Sequence, residues 1–70
     1  MRIKYFADTD TALVEFSDDP PVETREVNEN VYLDLDKEGR VVSITIEHAR
    51  KGAGMDEFSY QLIPAMPARA

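Results

Sequence analysis

The chain has 70 residues, of which 43% are hydrophobic and 31% are charged, so it has room for one small domain. A domain of this size buries only about 60% of the surface of its unfolded chain, which makes its core marginal. The sequence contains no cysteine, and this excludes disulfides and thiolate zinc sites as sources of extra stability. Self-association is therefore the expected means of support, and a homodimer is favoured over higher oligomers.

The charge of the chain narrows the range of partners. Fourteen acidic residues outnumber eight Lys and Arg, giving a net charge of −6, and phosphate would repel such a chain, so no direct nucleic-acid binding is expected. No apolar run approaches the roughly 20 residues of a bilayer span, and no signal-peptide core follows the first residues. We therefore expect a cytoplasmic protein without membrane contact. Most of the acidic residues lie between Asp8 and Glu38, either as a solvated surface or as a surface for a basic protein partner.

The chain opens with two predicted strands. Apolar and basic side chains alternate in residues 1–6, and a second alternating segment follows at residues 12–16. The turn formers at 8–11 lie between these segments, so the pattern predicts an antiparallel hairpin. Two consecutive prolines then interrupt the pattern, because each removes an amide donor. The mostly charged segment 22–27 is predicted to be an edge strand or an ordered loop.

The clearest pattern lies in the middle of the chain. Residues 31–36 and 41–46 each place three apolar side chains at alternate positions. Gly39 lies between them and accepts the positive φ that a tight turn needs. A shift of one residue would turn each apolar triplet towards water, so this second hairpin is predicted to have a well-defined register.

The carboxyl-terminal third is less regular. Residues 47–51 (EHARK) predict one turn of helix that ends at Gly52. Residues 55–63 alternate again, which indicates a fifth short strand or a segment that orders only against another chain. Residues 64–70 are expected to form a loose tail. The predicted fold is thus an α+β domain over residues 1–63, an antiparallel meander of four to five strands with one short helix near the carboxyl end.

No arrangement of side chains predicts catalysis, a cofactor or a metal. The run from Asp34 to Gly39 begins like a calcium loop, but its twelfth position is Thr45 instead of a bidentate Glu. His48 is the one histidine, and its sequence neighbours offer no nucleophile to activate. A surface or packing histidine is the favoured interpretation, with an enzyme site shared between subunits as a remote alternative.

One set of apolar side chains predicts an interaction surface. Phe6 and Tyr32 lie on the face opposite the predicted core, together with Leu13 and Val41, which makes that face more apolar than free solvent favours. The alternative is that the helical turn and the carboxyl-terminal segment fold over it. The candidate interface residues are Phe6, Leu13, Tyr32, Val41, Phe58, Tyr60 and Leu62.

Several blocks of the sequence resemble a bacterial family known as domain of unknown function 2283. The blocks are MRIKY at residues 1–5, DTDTALV at residues 8–14, EVNENVYLDLD at residues 26–36, and GRVV followed by ITIE between residues 39 and 47. The resemblance covers about residues 1–51. It implies a small α+β domain with an antiparallel meander and a short helix, and it implies no activity, because the family has no assigned reaction.

Two functions follow from these observations as expectations. The first is a non-catalytic binding or structural module that self-associates through a face or an edge of its sheet. The second is an antitoxin-like neutraliser, in which the acidic stretch masks a small basic toxin. The resemblance supports the second expectation, because some members of that family lie beside small toxin-like genes.

Overall fold

A computed structural model describes residues 1–66 as one antiparallel sheet of five strands. The strands are β1 (Arg2–Phe6), β2 (Thr11–Glu15), β3 (Glu23–Asn28), β4 (Val31–Leu35) and β5 (Val41–Glu47). Both predicted hairpins are confirmed, since β1 pairs with β2 and β4 pairs with β5. The charged segment 22–27 contributes most of β3, an edge strand whose residues are all exposed.

The prediction of an α+β fold is wrong, because residues 1–66 contain strands and turns but no helix. Within the segment predicted to be helical, residues 47–51, Glu47 ends β5 and residues 48–51 form turns. His48 has a φ of 54°, which lies in the left-handed region and interrupts right-handed helical geometry. The Gly52 amide still donates a hydrogen bond to the His48 carbonyl at 2.6 Å, so a single closed turn remains.

The prediction of a meander is also wrong, because the strand order is β1-β2-β5-β4-β3. Strands β3, β4 and β5 follow one another as hairpins, and β2 returns beside β5, which is a Greek-key connection. The crossover between β2 and β3 passes the end of the sheet where β4 turns into β5. There the Phe16 amide donates to the Val42 carbonyl at 2.8 Å, and the Val22 amide donates to the Leu35 carbonyl at 2.8 Å.

The β4–β5 turn has a defined hydrogen-bond pattern. The Gly39 amide donates to the Asp36 carbonyl at 3.0 Å, and the Asp36 amide donates to the Arg40 carbonyl at 2.9 Å. Gly39 has a φ of 82°, which matches a three-residue hairpin loop whose last residue is left-handed. Just beyond this loop the pairing of β4 with β5 shifts by one residue, so Val42 lies in a β-bulge.

The core is thin. Leu35 is 5% exposed and Val42 is 6% exposed, and both lie at the crossover end of the sheet. Ala12 and Ala49 are fully buried, but within residues 1–66 no large side chain is. Residues 55–63, predicted as a strand or a segment that orders on binding, have no regular secondary structure and pair with none of the five strands. The predicted loose tail at 64–70 falls partly outside the described residues, which end at Met66.

Candidate functional site

One face of the sheet is apolar across four strands. Directly opposed residues on neighbouring strands share a face, so the register defines two complete rows. The first row contains Ile3, Val14, Ile44 and Leu33, and the second contains Tyr5, Ala12, Ile46 and Val31. We call these eight residues the apolar face. Ile3 is 42% exposed, and all the others except Ala12 are only half-buried.

The apolar face ends at β3. The residues of β3 that continue the two rows are Arg25, beside Leu33, and Asn28, beside Val31. Arg25 is held by an ion pair with Glu23 at 3.0 Å, and both side chains are largely exposed. Charged residues on an edge strand oppose pairing with a strand of another molecule. This edge of the sheet is therefore protected, whereas the adjoining face is not.

The opposite face of the sheet is polar and internally bonded. Glu15 Oε1 lies 3.1 Å from Lys4 Nζ and 3.4 Å from Arg2 Nε. Further along the same row, the Ser43 hydroxyl donates to Asp34 Oδ2 at 2.8 Å, and Thr24 donates to the other oxygen of that carboxylate at 2.6 Å. These contacts pair most polar groups of this face with one another, although the buried Glu15 Oε1 has ion pairs and no hydrogen bond within residues 1–66.

The residues predicted to form an interface are divided by the structure. Leu13 and Tyr32 both lie beside Thr45, and Phe6 lies one row away on the same polar face. Phe6 is 46% exposed, but Leu13 and Tyr32 are half-buried among polar neighbours. The remaining members lie elsewhere: Val41 beside the β-bulge, and Phe58, Tyr60 and Leu62 beyond the sheet.

Asp10 joins the first hairpin to the turns after β5. Its carboxylate accepts hydrogen bonds from the Tyr5 hydroxyl at 2.7 Å, the Arg50 amide at 2.9 Å and the Lys51 amide at 3.2 Å. Its carbonyl oxygen accepts a fourth from the Ala49 amide at 2.8 Å. We call this arrangement the Asp10 clamp. Sequence reasoning gave Asp10 only a turn-forming role, since its partners lie 40 residues further along the chain.

The hydrogen bonds of the clamp shift the pKa values of both side chains. The Tyr5 hydroxyl, followed by the Arg50 amide, lowers the pKa of Asp10 below its ordinary value. The same hydrogen bond raises the pKa of Tyr5, because the neutral phenol is the donor. These shifts are accounted for by structural hydrogen bonds, so they do not indicate acid–base chemistry by themselves.

Asp36 has a similar role at the other end of the sheet. Its Oδ1 accepts hydrogen bonds from the amides of Glu38 and Arg40, both at 2.9 Å. The Arg40 amide is the main cause of the lowered pKa of Asp36. The carboxylate that resembled a calcium ligand therefore shapes the turn that contains Gly39.

His48 borders an open depression of about 610 Å³ that is also lined by Asp8, Asp56, Arg50 and Lys51. Its Nδ1 lies 3.0 Å from Asn30 Oδ1, so the imidazole is oriented by an amide. Acidic and basic side chains both line the depression, so its charge favours neither a cationic nor an anionic ligand. Within residues 1–66 no three His, Asp or Glu side chains are grouped closely enough to hold a metal ion.

The chain continues beyond the turns as a segment without regular secondary structure, residues 56–66, which we call the arm. The four apolar side chains towards its end, Tyr60, Leu62, Ile63 and Met66, are between 76% and 85% exposed. Such exposure leaves them with few contacts to their own sheet. The arm and the apolar face are thus two uncovered apolar surfaces of one molecule.

The comparison with protein families agrees with the resemblance noted in the sequence. A family model described as "Protein of unknown function (DUF2283)" matches residues 2–50. The chain belongs to this family. The DUF2283 match contains all five strands and ends before the arm begins. No curated protein and no solved structure matches the chain.

The DUF2283 match thus covers the five-stranded sheet, and the Asp10 clamp binds amides at the carboxyl-terminal end of the match. The clamp contact to the Arg50 amide lies just inside the match. Within residues 1–66 there is no helix of the length and hydrophobicity that a bilayer crossing requires.

Proposed function

We propose that the protein is a non-catalytic binding module that self-associates through the apolar face of its sheet. The observation that supports this most directly is the pair of uninterrupted apolar rows, on which residues 1–66 place no helix and no second sheet. A sheet that is apolar on one face is stable when that face packs against another layer. A second copy of the chain supplies such a layer.

The dimensions of the molecule support the same proposal. A compact monomer of 7.9 kDa exposes about 4,400 Å², whereas this chain exposes 5788 Å². Its radius of gyration is 15.2 Å, compared with about 11 Å for a compact chain of this length. The surplus of about 1,400 Å² is shared between the single-layer sheet and the arm, and together they offer more than the roughly 800 Å² that each partner buries in a standard interface.

Association by the face is favoured over association by an edge. The outer edge strands are β1 and β3. Strand β3 is charged and fully exposed, and β1 places Arg2 and Lys4 in ion pairs with Glu15 on the polar face. Charges along both edges oppose the addition of another strand, so the apolar rows remain as the surface for a second copy.

Two matched substitutions in β1 test which face associates. Ile3 is 42% exposed on the apolar face, and Phe6 is 46% exposed on the polar face of the same strand. We expect Ile3→Lys to shift the protein from dimer to monomer in sedimentation velocity at micromolar concentration, and Phe6→Lys to leave the dimer intact. Circular dichroism of both variants provides the control for folding.

The same experiment can overturn the proposal. A wild-type chain that is folded and monomeric at these concentrations would contradict self-association. A dimer that is lost in Phe6→Lys but kept in Ile3→Lys would assign the interface to the polar face instead. If Ile3→Lys unfolds, the dependence of the wild-type melting temperature on protein concentration gives a second readout, since it rises with concentration only for an associating fold.

The antitoxin-like alternative has less support from the structure. It requires acidic side chains that are free to meet a basic partner. However, the carboxylates of Asp10, Asp34 and Asp36 accept internal hydrogen bonds, and Glu15 lies in ion pairs. The acidic stretch is therefore partly engaged within the fold, and self-association stays the leading proposal.

A further inference from the structure

We infer that the arm of one copy packs on the apolar face of a second copy, so that the two chains form an arm-exchanged dimer. This inference rests on the proposed self-association and names the segment that covers the face. It assigns the second layer of the domain to residues 56–66, which lie outside the family match. The occupant of the apolar face is thus another copy of the same chain.

The base of the arm is tied to one corner of the sheet. The Asp10 clamp holds the amides of Ala49, Arg50 and Lys51. The Met55 amide then donates to the Ala49 carbonyl at 2.8 Å. These bonds fix where the chain leaves the sheet. Tyr60, Leu62 and Ile63 are each between 76% and 79% exposed, so this part of the arm does not pack on its own apolar face.

The arm is long enough to cover the face of a neighbour. Its eleven residues span about 36 Å when extended at roughly 3.3 Å per residue. Five strands at a spacing of about 4.8 Å give a sheet only about 19 Å wide. One arm therefore crosses a partner's entire apolar face, even though its base is held at the corner of its own sheet.

The arm also has the pattern that such a face requires. Phe58, Tyr60 and Leu62 alternate with Ser59 and Gln61, so an extended arm presents three apolar side chains on one side. Neighbours in that stripe are about 6.6 Å apart, so the three side chains span about 13 Å, close to the roughly 14 Å between the outer two of the four apolar strands.

A matched pair of double variants tests the arm. We expect Tyr60→Asp with Leu62→Asp to weaken dimerisation on the order of 100-fold in sedimentation equilibrium, because two buried apolar side chains are lost. Ser59→Asp with Gln61→Asp adds the same charge on the other side of the arm and should leave the dissociation constant within a few-fold of wild type. Neither pair alters a residue of the sheet, so circular dichroism should be unchanged.

Cross-linking tests which copy the arm contacts. The wild-type chain has no cysteine, so introduced thiols react without background. A Leu62→Cys copy is mixed with an Ile3→Cys copy and treated with a flexible bismaleimide, and Phe6→Cys replaces Ile3→Cys in the control. We expect a covalent heterodimer with the Ile3→Cys copy and little product with the control, because Phe6 lies on the polar face.

The outcomes separate this inference from the proposal on which it rests. If the arm variants remain as dimeric as wild type while Ile3→Lys is monomeric, the apolar faces associate without the arm and the inference is wrong. If a chain with both Leu62→Cys and Ile3→Cys cross-links within a monomer, the arm covers its own sheet, and the inference is again wrong. A monomeric wild-type chain would remove both the inference and the proposed function.

Discussion

Gly39→Ala should destabilise the protein through the backbone alone. Gly39 has a φ of 82°, and nothing lies within 4 Å of where a Cβ would be. A side chain there meets no neighbour, so its cost is that of placing an L-residue in the left-handed region, about 1–2 kcal/mol. In a chain of this length each kcal/mol lowers the melting temperature by about 4–8 °C.

The assay is urea and thermal unfolding followed by far-ultraviolet circular dichroism at one fixed protein concentration. Gly39→Asn is the informative companion, because Asn adopts the left-handed region more readily than Ala, and it should recover much of the loss. Glu38→Ala is the control in the same loop. It removes only the exposed ion pair between Glu38 and Arg40, so its stability should stay within about 0.5 kcal/mol of wild type.

Two results would refute this account of the turn. Equal stability of Gly39→Ala and wild type would show that the loop adopts another conformation in solution. An Asn variant as unstable as the Ala variant would show that the loss does not arise from the sign of φ. Either result would also weaken the register of the β4–β5 hairpin, because the bonds between Asp36, Gly39 and Arg40 define its end.

Three further predictions follow from buried and titrating groups. Leu35→Ala should lower the free energy of unfolding by about 2–5 kcal/mol, since Leu35 is only 5% exposed, and a loss below about 1 kcal/mol in urea unfolding would contradict that burial. The pKa of Asp36 is lowered mainly by the Arg40 amide. The ionised Asp36 carboxylate therefore stabilises the fold above its ordinary pKa of 3.8, and this stabilisation is lost as the pH falls through the lower pKa of the folded protein. The difference in unfolding free energy between wild type and Asp36→Asn should shrink in acid, and a constant difference would refute this. The pKa of Tyr5 is raised mainly by its hydrogen bond to Asp10, so its contribution is complete below pH 10.0 and is lost as the pH rises through the higher folded value. Tyr5→Phe should remove one late-ionising phenol from an ultraviolet titration and leave the late phenol of Tyr32, whose pKa is raised mainly by burial. If the phenol that disappears is one that ionises near the ordinary pKa of 10.0, the clamp is contradicted.

The strands that sequence predicts well are those whose side chains alternate most strongly. The hairpin over residues 31–46 forms as expected because one face of each strand is apolar and a glycine supplies the turn. Strand β3 has no apolar face, so the sequence of residues 22–27 predicts either an edge strand or an ordered loop. Alternation at 55–63 predicts a strand or a segment that orders against another chain, and the first alternative is wrong because no neighbouring strand supplies hydrogen bonds.

Tertiary contacts account for the features that sequence predicts wrongly or not at all. Local propensity favours a helical turn at residues 47–51, but the Asp10 clamp binds three amides of that segment and His48 takes a left-handed φ. The pairing of β2 with β5 gives a Greek-key order in place of the expected meander. No local sequence pattern indicates which distant strands become neighbours. The predicted interface residues Phe6, Leu13 and Tyr32 do share one face of the sheet, as their alternation indicates, and their role as an interface stays a prediction.

The junction between β2 and β5 has a consequence for how quickly the chain acquires its structure. Its paired residues are separated by between 28 positions, for Glu15 and Ser43, and 36 positions, for Thr11 and Glu47. Individual hairpins close in about 1–10 μs, whereas pairing between such remote segments must first overcome the entropy of closing the intervening loop. Formation of the β2–β5 junction should therefore limit the rate of refolding after dilution from denaturant. The two halves of the sheet should already be partly formed when they pair.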